Sequence, residues 1–195
     1  MEKIYTSLFL SSLLLFITIT NALNSSGTIQ PSEAEKWVQN YLSNPTPKVT
    51  KIHLYVQDVL GGPDPTILEV ARSAITSTSP TMFGQVRVLD DLITAGPARN
   101  STKLGRLQGL ITSADLNVSG LAMNVNFVFT DGMYKGNTLS MLGRNPIDLR
   151  DREMPIVGGT GVFRMARGFS ISNTYSYDPV ENYGVLEYTL YVFHV

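Results

Sequence analysis

The sequence predicts an all-β fold, an antiparallel sheet that closes as an eight-stranded up-and-down barrel or folds over as a sandwich. Three observations carry this expectation. Beyond Lys51 the chain breaks into short segments in which apolar and polar residues alternate, the period of a half-buried strand. Turn residues separate them at near-regular spacing: Gly61-Gly62-Pro63-Asp64-Pro65, Ala95-Gly96-Pro97, Asp131-Gly132 and Asp178-Pro179, a pattern of antiparallel hairpins rather than of helices. The chain has no cysteine, so its stability rests on burial and hydrogen bonding, and a closed sheet without free edges supplies both. Periodicity alone leaves barrel and sandwich open.

The first element is a secretory signal peptide over residues 1–22. Lys3 supplies the positive flank, residues 4–19 are an apolar run, and Thr20-Asn21-Ala22 offers a small-residue cleavage site. That run is shorter than the ~20 residues needed to span a bilayer, so a membrane anchor is not expected. Sequons at Asn24, Asn100 and Asn117 agree with export and are candidate glycosylation sites. Residues 23–50 form an N-terminal arm punctuated by Pro31, Pro45 and Pro47. Within it, residues 32–42 predict a short helix with Ser32 as N-cap and Glu35 closing a capping box. Trp37, Tyr41 and Leu42 give it an apolar side. Residues 51–195 are the main domain.

Composition excludes several functions. The net charge is −1 and no Lys/Arg stripe is present, so nucleic acid is not an expected partner. No cysteine and only two histidines, His53 and His194, leave no ordinary zinc, copper or haem site within one chain. No metal and no cofactor are expected, and the chain is not itself a laccase or peroxidase.

The predicted strands run over residues 52–60, 66–72, 82–89, 104–112, 121–130, 138–142, 162–173 and 183–195. An eight-stranded barrel is wide enough for one small ligand. In the first strand Leu54, Val56 and Asp58 share one face, and in the fifth Met123, Val125, Phe127 and Phe129 share the face of Asp131. A carboxylate in phase with an apolar row is costly unless it has a purpose or a partner. Asp58 and Asp131 are therefore candidate acids or bases, with strand-end capping as the plain alternative for Asp131. The last strand is apolar on both faces, which predicts cover by another subunit or by the arm.

Residues 126–168 carry the most information. The turn Gly158-Gly159-Thr160-Gly161 leads into Val162 and Phe163 with strand chemistry, not into a helix, so it is not a phosphate cradle. In order, LYVQDVLGG with Asp58, Phe83-Gly84, Asp90-Asp91, Gly105-Arg106-Leu107-Gln108-Gly109, Asp131-Gly132, Gly143-Arg144-Asn145, Arg152-Glu153-Met154-Pro155 and GGTG closely resemble the plant dirigent family over residues 52–195. The resemblance implies the barrel, of the kind shared with allene oxide cyclase, and a homotrimer. It also implies secretion to the apoplast or cell wall and a small phenolic substrate. Members guide stereoselective coupling of phenoxy radicals made by an external laccase or peroxidase, and cyclisation of quinone methides.

By the same resemblance Asp58 takes the place of the strand-one aspartate, Arg152 of the loop arginine and Thr174 of a pocket threonine. Asn145 stands where lignan-forming members have an aspartate, and Ile111 and Ser113 where they have tyrosines, departures that argue against pinoresinol formation. Phe127 and Phe163 complete the expected substrate contacts. The surviving carboxylates suit an alternative, pterocarpan synthase-like dehydration of an isoflavanol without an oxidase, with Asp58, Asp131 and Arg152 sharing acid, base and charge-stabilising tasks. A phenolic-binding wall protein without catalysis is the third reading.

Overall fold

The computed structural model describes residues 32–43, 46 and 48–195. The expected signal peptide and the sequon at Asn24 lie outside the described residues. The chain divides into two compact units, residues 1–45 and 46–195. In the first, helix α1 (Glu33–Ser43) starts as its residues dictate. Glu35 N–H donates to Ser32 Oγ at 3.2 Å, and Ser32 N–H donates to Glu35 Oε2 at 2.6 Å, a closed capping box. Trp37 and Tyr41, one turn apart, stack with ring centroids 5.2 Å apart. Among the described residues no helix is long and apolar enough to cross a membrane.

The second unit is the barrel. Its strands are β1 (Lys48–Val59), β2 (Ile67–Ala71), β3 (Val86–Thr94), β4 (Lys103–Ser113), β5 (Gly120–Phe129), β6 (Thr138–Pro146), β7 (Arg152–Gly159), β8 (Arg167–Asp178) and β9 (Tyr183–His194). All pairings are antiparallel, in the order β1-β9-β8-β7-β6-β5-β4-β3-β2. The sheet closes where β1 also pairs with β3, through Tyr55↔Thr94, Val56↔Ile93 and Gln57↔Leu92. Eight strands thus form the closed barrel. The ninth, β2, lies on the early half of β3 with Ile67 opposite Leu89 and a bulge between Glu69 and Ala71.

The largest differences from the sequence expectation are two. Residues 66–72, counted among the eight, supply the extra strand β2, and the missing barrel strand is β7. Its alternation is clear once seen, with Arg152, Met154 and Ile156 buried and Glu153, Pro155 and Val157 outside. The arginine in an inward position and the proline at its centre hid it. The second difference follows the GGTG turn. Residues 161–163 wind into a 3₁₀ turn, with Phe163 N–H bonded to Thr160 O and Arg164 N–H to Gly161 O, so the strand begins only at Arg167. Gly161 at φ +61° permits that winding.

Inward alternation builds the core. Leu54, Val56, Ile93, Val125, Leu139 and Leu190 are wholly buried, each contributing about 1.5–3 kcal/mol of burial. Phe129, Tyr134 and Phe163 meet with centroids 5.0–6.1 Å apart and plug one end. His194 belongs to this plug, its ring 5.3 Å from that of Phe163 and its Nε2 2.8 Å from Thr50 Oγ1. The opposite end, where β1 finishes and β9 starts, stays open.

Candidate functional site

At the open end lies a cavity of about 490 Å³, within the ordinary range for small-molecule sites. Leu60, Ile67, Leu89, Ile111, Met123 and Leu186 supply apolar wall, and Asp58, Arg87, Asp91, Asn145, Arg152 and Tyr188 supply its polar groups.

The centre of the site follows from strand register. Gln57 pairs with Leu92, so one step further along the same antiparallel ladder Asp58 stands opposite Asp91. Both are in phase with inward rows, Leu54–Val56 on β1 and Leu89–Ile93 on β3. Like charges directly opposite repel, and in a poorly solvated cavity the pair relieves that repulsion by holding a proton. Burial, then the Asp91 charge and a hydrogen bond to it, push the Asp58 carboxyl well above the usual carboxylate range, against the opposing pull of Arg87 and Arg152. Burial pushes Asp91 up to about 6, held down by hydrogen bonds from Thr66 and Asp58. The Thr66 hydroxyl donates a short bond to Asp91 Oδ1 and accepts one from Val59 N–H at 3.2 Å. The pair titrates as a unit, and burial with the facing carboxylate holds Asp58 in its protonated form to higher pH than an ordinary carboxyl.

Arg152, at the start of β7, is only 4% exposed. Its Nη1 donates to Ile147 O at 3.2 Å, Leu149 O at 3.1 Å and Thr174 Oγ1 at 3.2 Å. One nitrogen therefore fixes both the β6–β7 loop at the cavity mouth and the threonine on β8. Asn145 Nδ2 approaches Met123 Sδ at 3.1 Å. Six buried side-chain polar atoms lack a hydrogen-bond partner among the described residues: Arg87 Nε, Asp91 Oδ2, Asn145 Oδ1, Arg152 Nε, Tyr188 Oη and His194 Nδ1. All but the last belong to residues lining the cavity. Buried polar groups are ordinarily satisfied, so their concentration here marks a site built for a polar ligand.

Of the residues expected from sequence, Asp58, Arg152, Thr174, Asn145 and Ile111 meet in this cavity. Asp131 does not. Strand β5 ends at Phe129, and Asp131 sits exposed at the head of a 3₁₀ turn (Gly132–Tyr134), its Oδ2 accepting from Thr130 Oγ1 at 2.7 Å. The in-phase argument fails there because the chain has left the bore two residues earlier. Phe127 lies under the cavity floor, edge-on to Tyr188 at 5.6 Å. Phe163 belongs to the plugged end. Ser113 is buried at the end of β4, where its backbone pairs with Gly84 and Gln85. None of the three lines the cavity. Asn100 and Asn117 lie exposed in the β3–β4 and β4–β5 loops. Arg87, Asp91 and Tyr188 also line the cavity, and no local sequence pattern marks Arg87 or Tyr188 as site residues. Asp91 was within reach: continuing the strand at 82–89 by two residues places it on the inward face.

The family described as Dirigent-like protein matches residues 49–193. Dirigent protein 21 of Arabidopsis thaliana is 39% identical over 197 aligned positions covering 100% of both chains. Pterocarpan synthase 1 of Glycyrrhiza echinata is 41% identical over 148 positions, 75% of this chain and 79% of its own. Among solved structures, the pterocarpan synthase dirigent protein GePTS1 superposes with a TM-score of 0.69 at 41% identity, over 76% of this chain and 86% of that one. PsPTS1, also a pterocarpan synthase dirigent protein, gives 0.67 at 40% identity over 75% and 96%.

Proposed function

The chain belongs to the dirigent-like protein family, and from that premise we propose that its barrel binds a small phenolic alcohol and directs quinone methide formation and closure by proton transfer. The observation that carries this reading is the Asp58–Asp91 pair, two carboxyls facing each other in a largely apolar cavity, both pushed toward their protonated forms. Loss of a benzylic hydroxyl from a phenol needs an acid and a base at once. Asp58 gives its proton to the departing hydroxyl, which leaves as water, while the conjugated phenol gives its proton to Asp91. The electrons released from the phenol oxygen form the quinone methide. A second phenol oxygen of the same molecule then adds to the methide carbon, and its proton is relayed through the pair to the quinone methide oxygen. The balance is loss of one water, with the pair restored to one proton. Arg87 and Arg152 offset charge on the oxygens, and the walls hold the intermediate in one conformation, so that ring closure has one handedness. Similarity to pterocarpan synthases at about 40% identity supports an isoflavanol as substrate class.

A second reading rests on the full-length similarity to Dirigent protein 21. In it an external laccase or peroxidase makes phenoxy radicals from a monolignol, and the cavity sets the faces that couple. Secretion to the apoplast and a homotrimer belong to both readings. A chiral product assay with a 2′-hydroxyisoflavanol and with coniferyl alcohol, each with and without laccase, separates them. The expected result is one enantiomer of cyclised product from the isoflavanol without laccase. Enantiomeric excess from coniferyl alcohol only with laccase supports the coupling reading, and no selectivity in any arm leaves a phenolic-binding protein.

A further inference from the structure

Three strands place two donors side by side. Arg152 on β7 pairs with Ser172 on β8, and Ser172 pairs with Tyr188 on β9. Neighbouring strands lie about 4.8 Å apart, so two long inward side chains flank a small one across roughly 10 Å. Tyr188 and Arg152 both line the cavity, while Ser172 is wholly buried, its hydroxyl 3.4 Å from Arg152 O. Tyr188 Oη has Ser172 beside it but no hydrogen bond of normal geometry, and Arg152 Nε has no partner among the described residues. Both donors are held in place. Nη1 of Arg152 is tied to three acceptors, and the Tyr188 ring packs edge-on to Phe127.

We propose that the gap over Ser172, between these two side chains, is a notch that receives a phenolate, in which Tyr188 Oη–H and Arg152 Nε–H donate to one substrate oxygen, so that the cavity stabilises the phenol as its anion when the proton leaves. This deepens the proton-transfer reading and rests on it only in taking a phenol as ligand. The charges facing the notch agree. Arg87 on β3 and Arg152 on β7 carry two positive charges, and Asp58 and Asp91 opposite them are both shifted toward their neutral forms. Asp148 and Tyr177 stand exposed at the rim. Burial holds the Tyr188 phenol above its ordinary range, so it remains a donor. Donors preorganised toward an oxyanion in a cavity poor in water act far more strongly than in solution.

The probe is 7-hydroxy-4-methylcoumarin, which has no leaving hydroxyl and reports phenol and phenolate by separate excitation bands. Failure of turnover therefore does not affect this test. The expected result with the full chain is saturable binding with the bound pKa at least about one unit below the free value, a tenfold preference for the anion. Tyr188→Phe removes the hydroxyl alone, and at least half of the shift is lost with it. Ser172→Val keeps both donors, fills the notch and weakens probe binding about tenfold or more. A bound pKa equal to or above the free value, a full shift in Tyr188→Phe, unweakened binding in Ser172→Val or no saturable binding to the wild type each overturns the proposal.

Discussion

Asp58→Asn lowers turnover of a benzylic-alcohol phenol by about 100-fold or more, the low end of what a positioned acid contributes, while the barrel keeps its fold. Asparagine has the volume of aspartate and hydrogen-bonds Asp91, but gives no proton to a leaving hydroxyl. A second effect separates loss of acid from loss of structure. The pKa values of Asp58 and Asp91 are raised in the folded state. The pair therefore contributes stability that is fully present below the unfolded carboxylate value and is lost as pH rises through the folded values. The wild-type melting temperature falls between pH 5 and pH 8 on this account, and Asp58→Asn, with no second carboxyl to repel, falls less. Turnover within threefold of wild type removes Asp58 from the mechanism. An unchanged melting profile removes the repulsion argument.

Gly109→Ala destabilises the barrel by about 3 kcal/mol or more, the sum of a strained backbone and an overpacked contact. Gly109 stands opposite Val125 in the β4–β5 ladder with φ +154°. A Cβ there meets Asn124 O at 2.1 Å and Val125 Cα at 2.8 Å, both backbone atoms that cannot turn aside. Four residues earlier, Gly105 brings its strand equally close, a Cβ meeting Val128 O at 2.1 Å. The two glycines let β4 coil tightly against β5, a close approach of strands that glycine permits. The expected loss in melting temperature is roughly 6–12 °C. At Gly62, φ +82° but with nothing within 4 Å, alanine meets only the backbone penalty of about 1–2 kcal/mol. Equal losses at the two positions contradict the crowding argument.

The antiparallel strands were legible because alternation survives wherever one face is buried: Leu54, Val56 and Asp58 read as one face, and they are one. Closure into a barrel was implied by the family resemblance and not by the alternation. The capping box of α1 was legible for a local reason, since Ser32 and Glu35 satisfy each other within one turn. Strand β7 was not legible, because its first inward residue is an arginine and its pattern crosses Pro155. Phe163 misled by its chemistry. A large aromatic after glycine reads as a strand start, yet here it is the stopper of the plugged end. The site was half legible. Asp58 stood out as a carboxylate in an apolar row, whereas its partner Asp91 depends on the β1–β3 closure, a contact 33 residues away in sequence that no local pattern encodes. Tyr188 lies on a strand apolar on both faces, so no pattern marks its row as the inward one, and only the structure shows its hydroxyl without a partner.

The proposed chemistry requires a neutral carboxylic acid in the cavity at neutral pH. Infrared spectroscopy of protein labelled with ¹³C at aspartate carboxyls tests it directly, wild type against Asp58→Asn at pH 7. The account predicts a protonated-carboxyl carbonyl band in the wild type that is absent from the variant and gives way to carboxylate as pH rises. Aspartate bands that are wholly carboxylate in the wild type at pH 7 would contradict it.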